Sequence, residues 1–208
     1  MIYLDNAATT PVLQEVFDEM KDYFVYEYGN PEGKYYDLAN NAKKAVELAK
    51  NRIAKFLNCN QNEITFNSGS TEGNNTVIKG ITDFVSKGTI ITTRIEHSSI
   101  SEVCNYVSLK GINIKYIDVN EYGKIILDDF INLLDTSNDV LLVAISFANS
   151  EMGTIQDVEK ISEICYERNV PLHVDATQAV GKMHINLQKL RGVSFLLFLL
   201  ISYLDLKV

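Results

Sequence analysis

The chain has 208 residues, is 46% hydrophobic and 22% charged, and carries a net charge of −8. That is ordinary globular composition, enough for one large domain with a substantial core. A net acidic chain without a Lys/Arg cluster excludes a nucleic-acid groove, which needs a basic stripe. Met1-Ile2-Tyr3-Leu4-Asp5-Asn6 has neither a basic nor an apolar leader region, so no secretory signal is expected. Cys59, Cys104 and Cys165 are far apart and have no metal-ligand or disulfide spacing. They are expected to be buried free thiols of a cytoplasmic protein, with no metal.

Helix and strand signals alternate along the chain. Pro11 to Tyr26 places Val12, Val16, Met20 and Phe24 at helical spacing, with Pro11 in the first turn. Ala39 to Leu57 is a second helix, rich in Ala, Lys, Glu and Leu. Glu63 to Phe66 is expected to be a short strand, Thr71 to Val85 a helix, and Thr89 to Thr93 a strand. Ser98 to Leu109 is helical, and Ile112 to Ile117 alternates like a half-buried strand. Leu127 to Leu134 is a short helix, and Val140 to Ser146 the continuous apolar strand of a sheet covered on both faces. Asp157 to Arg168 is a helix and Pro171 to Val174 a strand. Such alternation predicts an α/β fold of right-handed βαβ units around a mostly parallel sheet.

Ligands of open parallel sheets bind beyond the carboxyl ends of strands. Polar motifs fall at those ends: Asn67-Ser68-Gly69-Ser70, Glu96-His97, Asn149-Ser150-Glu151 and Asp175. Each has an ordinary structural reading beside the functional one. Ser68-Gly69-Ser70-Thr71 suits a helix N-cap, or an anion site built from helix-start N–H groups and hydroxyls. His97 suits an exposed first turn, or a ring stacked on a cofactor. Asp175 suits a turn cap, or an ion pair with a protonated pyridine nitrogen. Gln178 suits a solvent-facing position, or a hydrogen bond to a ring oxygen. Taken together, the four motifs suit pyridoxal 5'-phosphate, whose electron-sink chemistry needs an acid at the pyridine nitrogen and a lysine Schiff base. A dinucleotide site is disfavoured, because no G-x-G-x-x-G follows the first strand.

On these residues the chain resembles the class V aminotransferase family, and within it the NifS/IscS-type cysteine desulfurases. The matching motifs are Tyr3-Leu4-Asp5-Asn6-Ala7-Ala8-Thr9-Thr10-Pro11, Gly29-Asn30-Pro31, Ser68 to Asn75, Glu96-His97, Glu151 to Gln156 and His173 to Lys182. The resemblance covers residues 1 to about 196. It implies a three-layer αβα large domain of a pyridoxal-phosphate-dependent transferase over 1–196, incomplete at its C-terminus. It also implies phosphate contacts from Ser70 and Thr71, ring stacking and acid/base work by His97, a pyridinium partner at Asp175 and a phenolic-oxygen contact from Gln178. The implied reaction takes sulfur from L-cysteine, leaving L-alanine and an enzyme persulfide for iron–sulfur cluster or thio-cofactor synthesis. Implied partners are a second copy of the chain, as a homodimer, and sulfur-acceptor or scaffold proteins; no nucleic acid and no membrane are expected. Another class V enzyme, an aminotransferase or selenocysteine lyase, would share most of these residues. So would a non-catalytic partner of a full-length desulfurase.

Three departures stand out. The family's Asn-Asn-Glu is Asn149-Ser150-Glu151 here, which shortens the side chain that reaches the ring oxygen. The family's His-x-x-Gly is Tyr36-Asp37-Leu38-Ala39. Finally, the Ser-x-His-Lys that should follow the aspartate strand is replaced by Val193 to Val208. Its apolar run is well short of the ~20 residues that span a bilayer. Residues 198–208 can be back-translated so that one restored base near codon 197 reads Phe-Ser-Ala-His-Lys-Leu-Phe-Gly-Pro-Lys-Gly. We therefore read 197–208 as an out-of-frame apolar tail, with the Schiff-base lysine absent and its place taken by Ser202. On that reading covalent attachment of the cofactor is not expected, and the chain as given is catalytically incompetent. Lys182 and Lys207 are poor substitutes.

Overall fold

A computed structural model describes residues 2–199. The expectations for 200–208, including Ser202 and Lys207, fall outside the described residues. The described chain forms two compact units, residues 2–66 with 185–188, and residues 67–184 with 189–199.

The first unit holds helix α1 (Gln14–Val25) and helix α2 (Asp37–Leu57). The apolar stripe that predicts α1 is present, yet Val16, Phe17, Met20 and Phe24 are all exposed. Helix α2 buries Ala39, Ala42, Ala54 and Leu57 and ends at Asn58. Asn58 adopts the left-handed conformation that closes many helices. The Gly29-Asn30-Pro31 turn lies against the start of α2. A Cβ at Gly29 would sit 2.0 Å from the Leu38 carbonyl oxygen, so only glycine fits. Tyr36, at the place of the family's histidine, is the N-cap of α2, and Ala39 is buried beneath Gly33. The strand expected at 63–66 does not form. Asn60 and Glu63 make a reciprocal capping box, with Asn60 N donating to Glu63 Oε2 at 2.6 Å, and this commits Gln61–Glu63 to a 3-10 turn.

The second unit contains a five-stranded sheet in the order β2-β1-β3-β4-β5, parallel throughout. Its strands are β1 (Gly88–Thr93), β2 (Ile112–Ile117), β3 (Val140–Ser146), β4 (Leu172–Asp175) and β5 (Val193–Leu197). Helices α3 (Ser70–Thr82), α4 (Ser98–Ser108), α5 (Leu127–Asp135) and α6 (Val158–Glu167) flank it, as the α/β reading expects. One core joins Ile78 of α3 and Ile100, Val103, Cys104 and Val107 of α4 to Ile90, Ile112, Leu142 and Ala144 of the sheet. Ile91, Val143 and Ile145 alternate with those strand residues and are buried on the opposite face. Strand β5 takes up the start of the C-terminal apolar run. Leu197, the first residue of the expected tail, ends it in register with Asp175. Helix α3 passes close to β5 at Gly73, where a Cβ would meet Leu197 Cδ1 at 2.3 Å.

The chain leaves β1 for β2 on one side and reaches β3 on the other. The switch point of the sheet is therefore at the carboxyl ends of β1 and β3, where ligands of such sheets bind.

Candidate functional site

Glu96 occupies the switch point. It follows β1 in a short turn, and its carboxylate reaches across to the end of β3. Oε2 accepts from Ser146 N at 2.8 Å and Ser146 Oγ at 2.5 Å, while Oε1 accepts from Thr93 Oγ1 at 2.6 Å. Burial pushes its pKa above the usual carboxylate range, and the Ser146 and Thr93 hydrogen bonds oppose that rise. Asn149, just past β3, adds a second tie by donating from Nδ2 to the Ile95 carbonyl at 2.7 Å. Its Oδ1 accepts from the N–H groups of Glu151 and Met152 and so holds its own turn. Ser150, beside it, is exposed.

Helix α3 begins at Ser70, and its N-cap is Gly69 at φ +152, which offers no side chain to the first-turn N–H groups. Ser68 is not the cap. Instead Glu72 Oε2 accepts from Ser68 N at 2.6 Å, and hydrogen bonding from the Ser68 side chain, then its backbone, lowers the Glu72 pKa. Thr71 lies exposed in the first turn. The helix start therefore presents N–H groups and the Ser70 and Thr71 hydroxyls, an anion-binding chemistry.

Asp175 is the last residue of β4 and only 6% exposed. Its Oδ1 accepts from Thr177 N at 3.0 Å and its Oδ2 from Asn74 Nδ2 at 2.8 Å. The Thr177 and Ser70 hydroxyls are 2.9 Å apart, which links the loop after β4 to the α3 start. Asn74, one turn into α3, is wholly buried. It donates also to Ser99 Oγ at 2.8 Å, and its Oδ1 lies 2.7 Å from His173 Nε2. Burial pushes the His173 pKa down to about 4, against the pull of nearby Asp175, so the ring is neutral near pH 7 and Nε2–H is its donor to Asn74. Ser99 in turn meets His97, the N-cap of α4, with Oγ 2.9 Å from Nδ1. His97 itself is exposed.

One hydrogen-bonded chain thus runs Ser70–Thr177–Asp175–Asn74–Ser99–His97. It joins three of the residues singled out from sequence. Thr71 adjoins it in the same helical turn. Gln178 follows Thr177, and its Oε1 accepts from Lys182 Nζ at 2.8 Å. Asn149 is tied to the segment that leads to His97. Glu96, Asn74, Ser99 and His173 are connections that sequence reasoning did not assign. Among the described residues no His, Cys, Asp and Glu cluster could hold a metal, and no helix is long and apolar enough to cross a membrane. Cys104 and Cys165 are buried with thiol pKa values pushed up to about 12 by burial, whereas Cys59 is only half-buried, contrary to expectation.

The aminotransferase class-V family model matches residues 2–198. A cysteine desulfurase IscS of Buchnera aphidicola is 41% identical over 194 residues, covering 91% of this chain and 48% of the relative. A cysteine desulfurase IscS of Methanosarcina thermophila is 38% identical, covering 91% and 46%. Among solved structures, a NifS-like protein superposes with a TM-score of 0.91 at 36% identity, covering 97% of this chain and 55% of that one. SspA in complex with cysteine superposes with a TM-score of 0.90 at 29% identity, covering 96% and 57%. The chain spans about half the length of the curated relatives it matches. With its parallel sheet, its switch-point site and a match along nearly its whole length, the chain belongs to the class-V aminotransferase family.

Proposed function

We propose that this chain cradles pyridoxal 5'-phosphate and supplies the cofactor-holding part of a cysteine desulfurase, an enzyme that takes sulfur from L-cysteine to give L-alanine and an enzyme persulfide. The observation that carries the reading is the connected run from Ser70 through Asp175 to His97. It sets an anion-binding helix start, a buried carboxylate and an imidazole in one polar network at the carboxyl end of the sheet. That donor and acceptor set fits a phosphorylated pyridine. When bound, the cofactor supplies an electron sink for the substrate's Cα bonds.

The protein's part is positioning and charge. The first-turn N–H groups of α3 with Ser70 and Thr71 would hold the phosphate. Asp175, fixed by Thr177 N and Asn74, would keep a proton on the ring nitrogen. His97 would stack on the ring, and Gln178 would donate to its phenolic oxygen, with Asn149 and the shorter Ser150 on the neighbouring turn. Cys104 and Cys165 are unsuited to carrying the persulfide, because a buried thiol that stays protonated is a poor nucleophile. The resemblance of named relatives to this chain, desulfurases among them, supports the choice of L-cysteine.

Pyridoxamine 5'-phosphate is the discriminating ligand, since it lacks the aldehyde that would label surface lysines. A fluorescence titration of the full chain should saturate at one ligand per chain. Pyridoxamine without the phosphate should bind at least about tenfold more weakly, as expected for losing charge-assisted hydrogen bonds. Equal affinity for the two ligands, or no saturable binding, overturns the reading.

A further inference from the structure

The run of hydrogen bonds through Asn74 has a direction. Each amide proton of Asn74 is committed, one to Asp175 Oδ2 and one to Ser99 Oγ, both at 2.8 Å. Its Oδ1 accepts from His173, so the amide cannot flip without breaking three bonds. Ser99 Oγ therefore receives a proton from Asn74 and has one of its own to give. The acceptor within reach is His97 Nδ1, at 2.9 Å. The backbone N–H of Ser99 points at the same Nδ1 from 3.2 Å, and a backbone N–H can only donate. Two donors on Nδ1 leave no place for a proton there, so a neutral ring carries its proton on Nε2.

We infer that Asn74 and Ser99 are positioning residues that hold the His97 imidazole in its Nε2–H tautomer. The amide that anchors Asp175 thereby also orients the proton of His97, so the two ends of the site are set by one buried side chain, itself 0% exposed. The consequence for a ligand rests on the cofactor reading: an Nε2–H ring has a proton to give to a bound molecule and none to give from Nδ1. The tautomer itself does not rest on that reading.

The test is long-range ¹H–¹⁵N NMR on ligand-free full chain labelled at its three histidines, each assigned by a His→Gln variant. His97 in the parent chain should show a protonated Nε2 and an unprotonated Nδ1. Ser99→Ala trims one hydroxyl and leaves the backbone donor in place. It should lower the Nε2–H to Nδ1–H ratio of His97 by about 2- to 12-fold, the weight of one ordinary hydrogen bond. Ser99→Thr keeps the hydroxyl and should restore the ratio. Asn74→Asp puts an acceptor where the amide donor was, turns the Ser99 proton away from His97, leaves its oxygen to accept from Nδ1–H, and should lower the ratio at least as far as Ser99→Ala. A merely structural role for Ser99 would change stability and leave the tautomer alone. An Nδ1–H ring in the parent chain, or a ratio unchanged by Ser99→Ala, overturns the inference. A correct tautomer response in a chain that binds no pyridoxamine 5'-phosphate upholds this inference and removes only the cofactor reading.

Discussion

His173 makes the fold acid-sensitive in a defined window. The ring is fully buried on β4, and its burial pushes the pKa down to about 4, whereas an unfolded histidine titrates near 6.5. Between those values the unfolded chain binds a proton that the folded chain does not. Stability from this group is therefore fully present above about pH 6.5 and is lost as pH falls through the window. The interval is roughly 2.5 units, or about 3 kcal/mol in all, of which about 2 kcal/mol is gone by roughly pH 5. Urea unfolding of the parent chain and of His173→Gln across this range isolates the effect. Gln keeps an N–H for Asn74 and cannot titrate. Glu96, whose pKa burial raises, stabilises in the opposite sense, toward low pH, but it is present in both proteins and cancels in the difference. The stability difference between the two should shift against the parent by about 2 kcal/mol on going from roughly pH 7 to pH 5. A difference that stays flat with pH, or one that moves in favour of the parent, would mean that burial does not hold the His173 ring neutral in the fold.

Other tests follow from the same geometry. Glu96→Ala removes the acceptor for Ser146 N, Ser146 Oγ and Thr93 Oγ1 and should cost about 2–3 kcal/mol, read as a lowered urea midpoint. An unchanged midpoint would mean that the tie between β1 and β3 is dispensable. Cys59 should react with iodoacetamide in the folded chain while Cys104 and Cys165 react only after unfolding, because burial holds their pKa values up to about 12. Peptide mapping showing early label on Cys104 or Cys165 would contradict this.

Much of the sheet was legible because its strands carry their own signals. Val140 to Ser146 is a continuous apolar run, Ile112 to Ile117 alternates, and both strands fall where periodicity puts them. The expected strand at 63–66 failed because a local side-chain bond, Glu63 to Asn60 N, outweighs the β-propensity of Ile64, Thr65 and Phe66. Helix α1 was predicted from its stripe, yet Val16, Met20 and Phe24 stay exposed, since periodicity reports a face and not what covers it. His97 and Asp175 could be picked out as chemistry at or beyond strand ends, and Ser70 as a hydroxyl at a helix start. The residues that join them could not. Asn74 is separated from Asp175 by 101 positions and from Ser99 by 25, and only the strand order brings them within 2.8 Å. Glu96 was visible only as the neighbour of His97. A carboxylate three residues past a strand, in the turn before a helix, was the signal that could have marked it as a part-buried tie.

On the reading proposed above, the network at the carboxyl ends of β1, β3 and β4 would hold a phosphorylated pyridine. The most direct measurement is a crystal structure of the chain with pyridoxamine 5'-phosphate. The phosphate should sit on the first-turn N–H groups of α3 beside Ser70 and Thr71, the ring nitrogen within hydrogen-bond distance of Asp175, and the His97 ring against the pyridine face. A ligand seated elsewhere on the chain, or a ring nitrogen with no contact to Asp175, would contradict it.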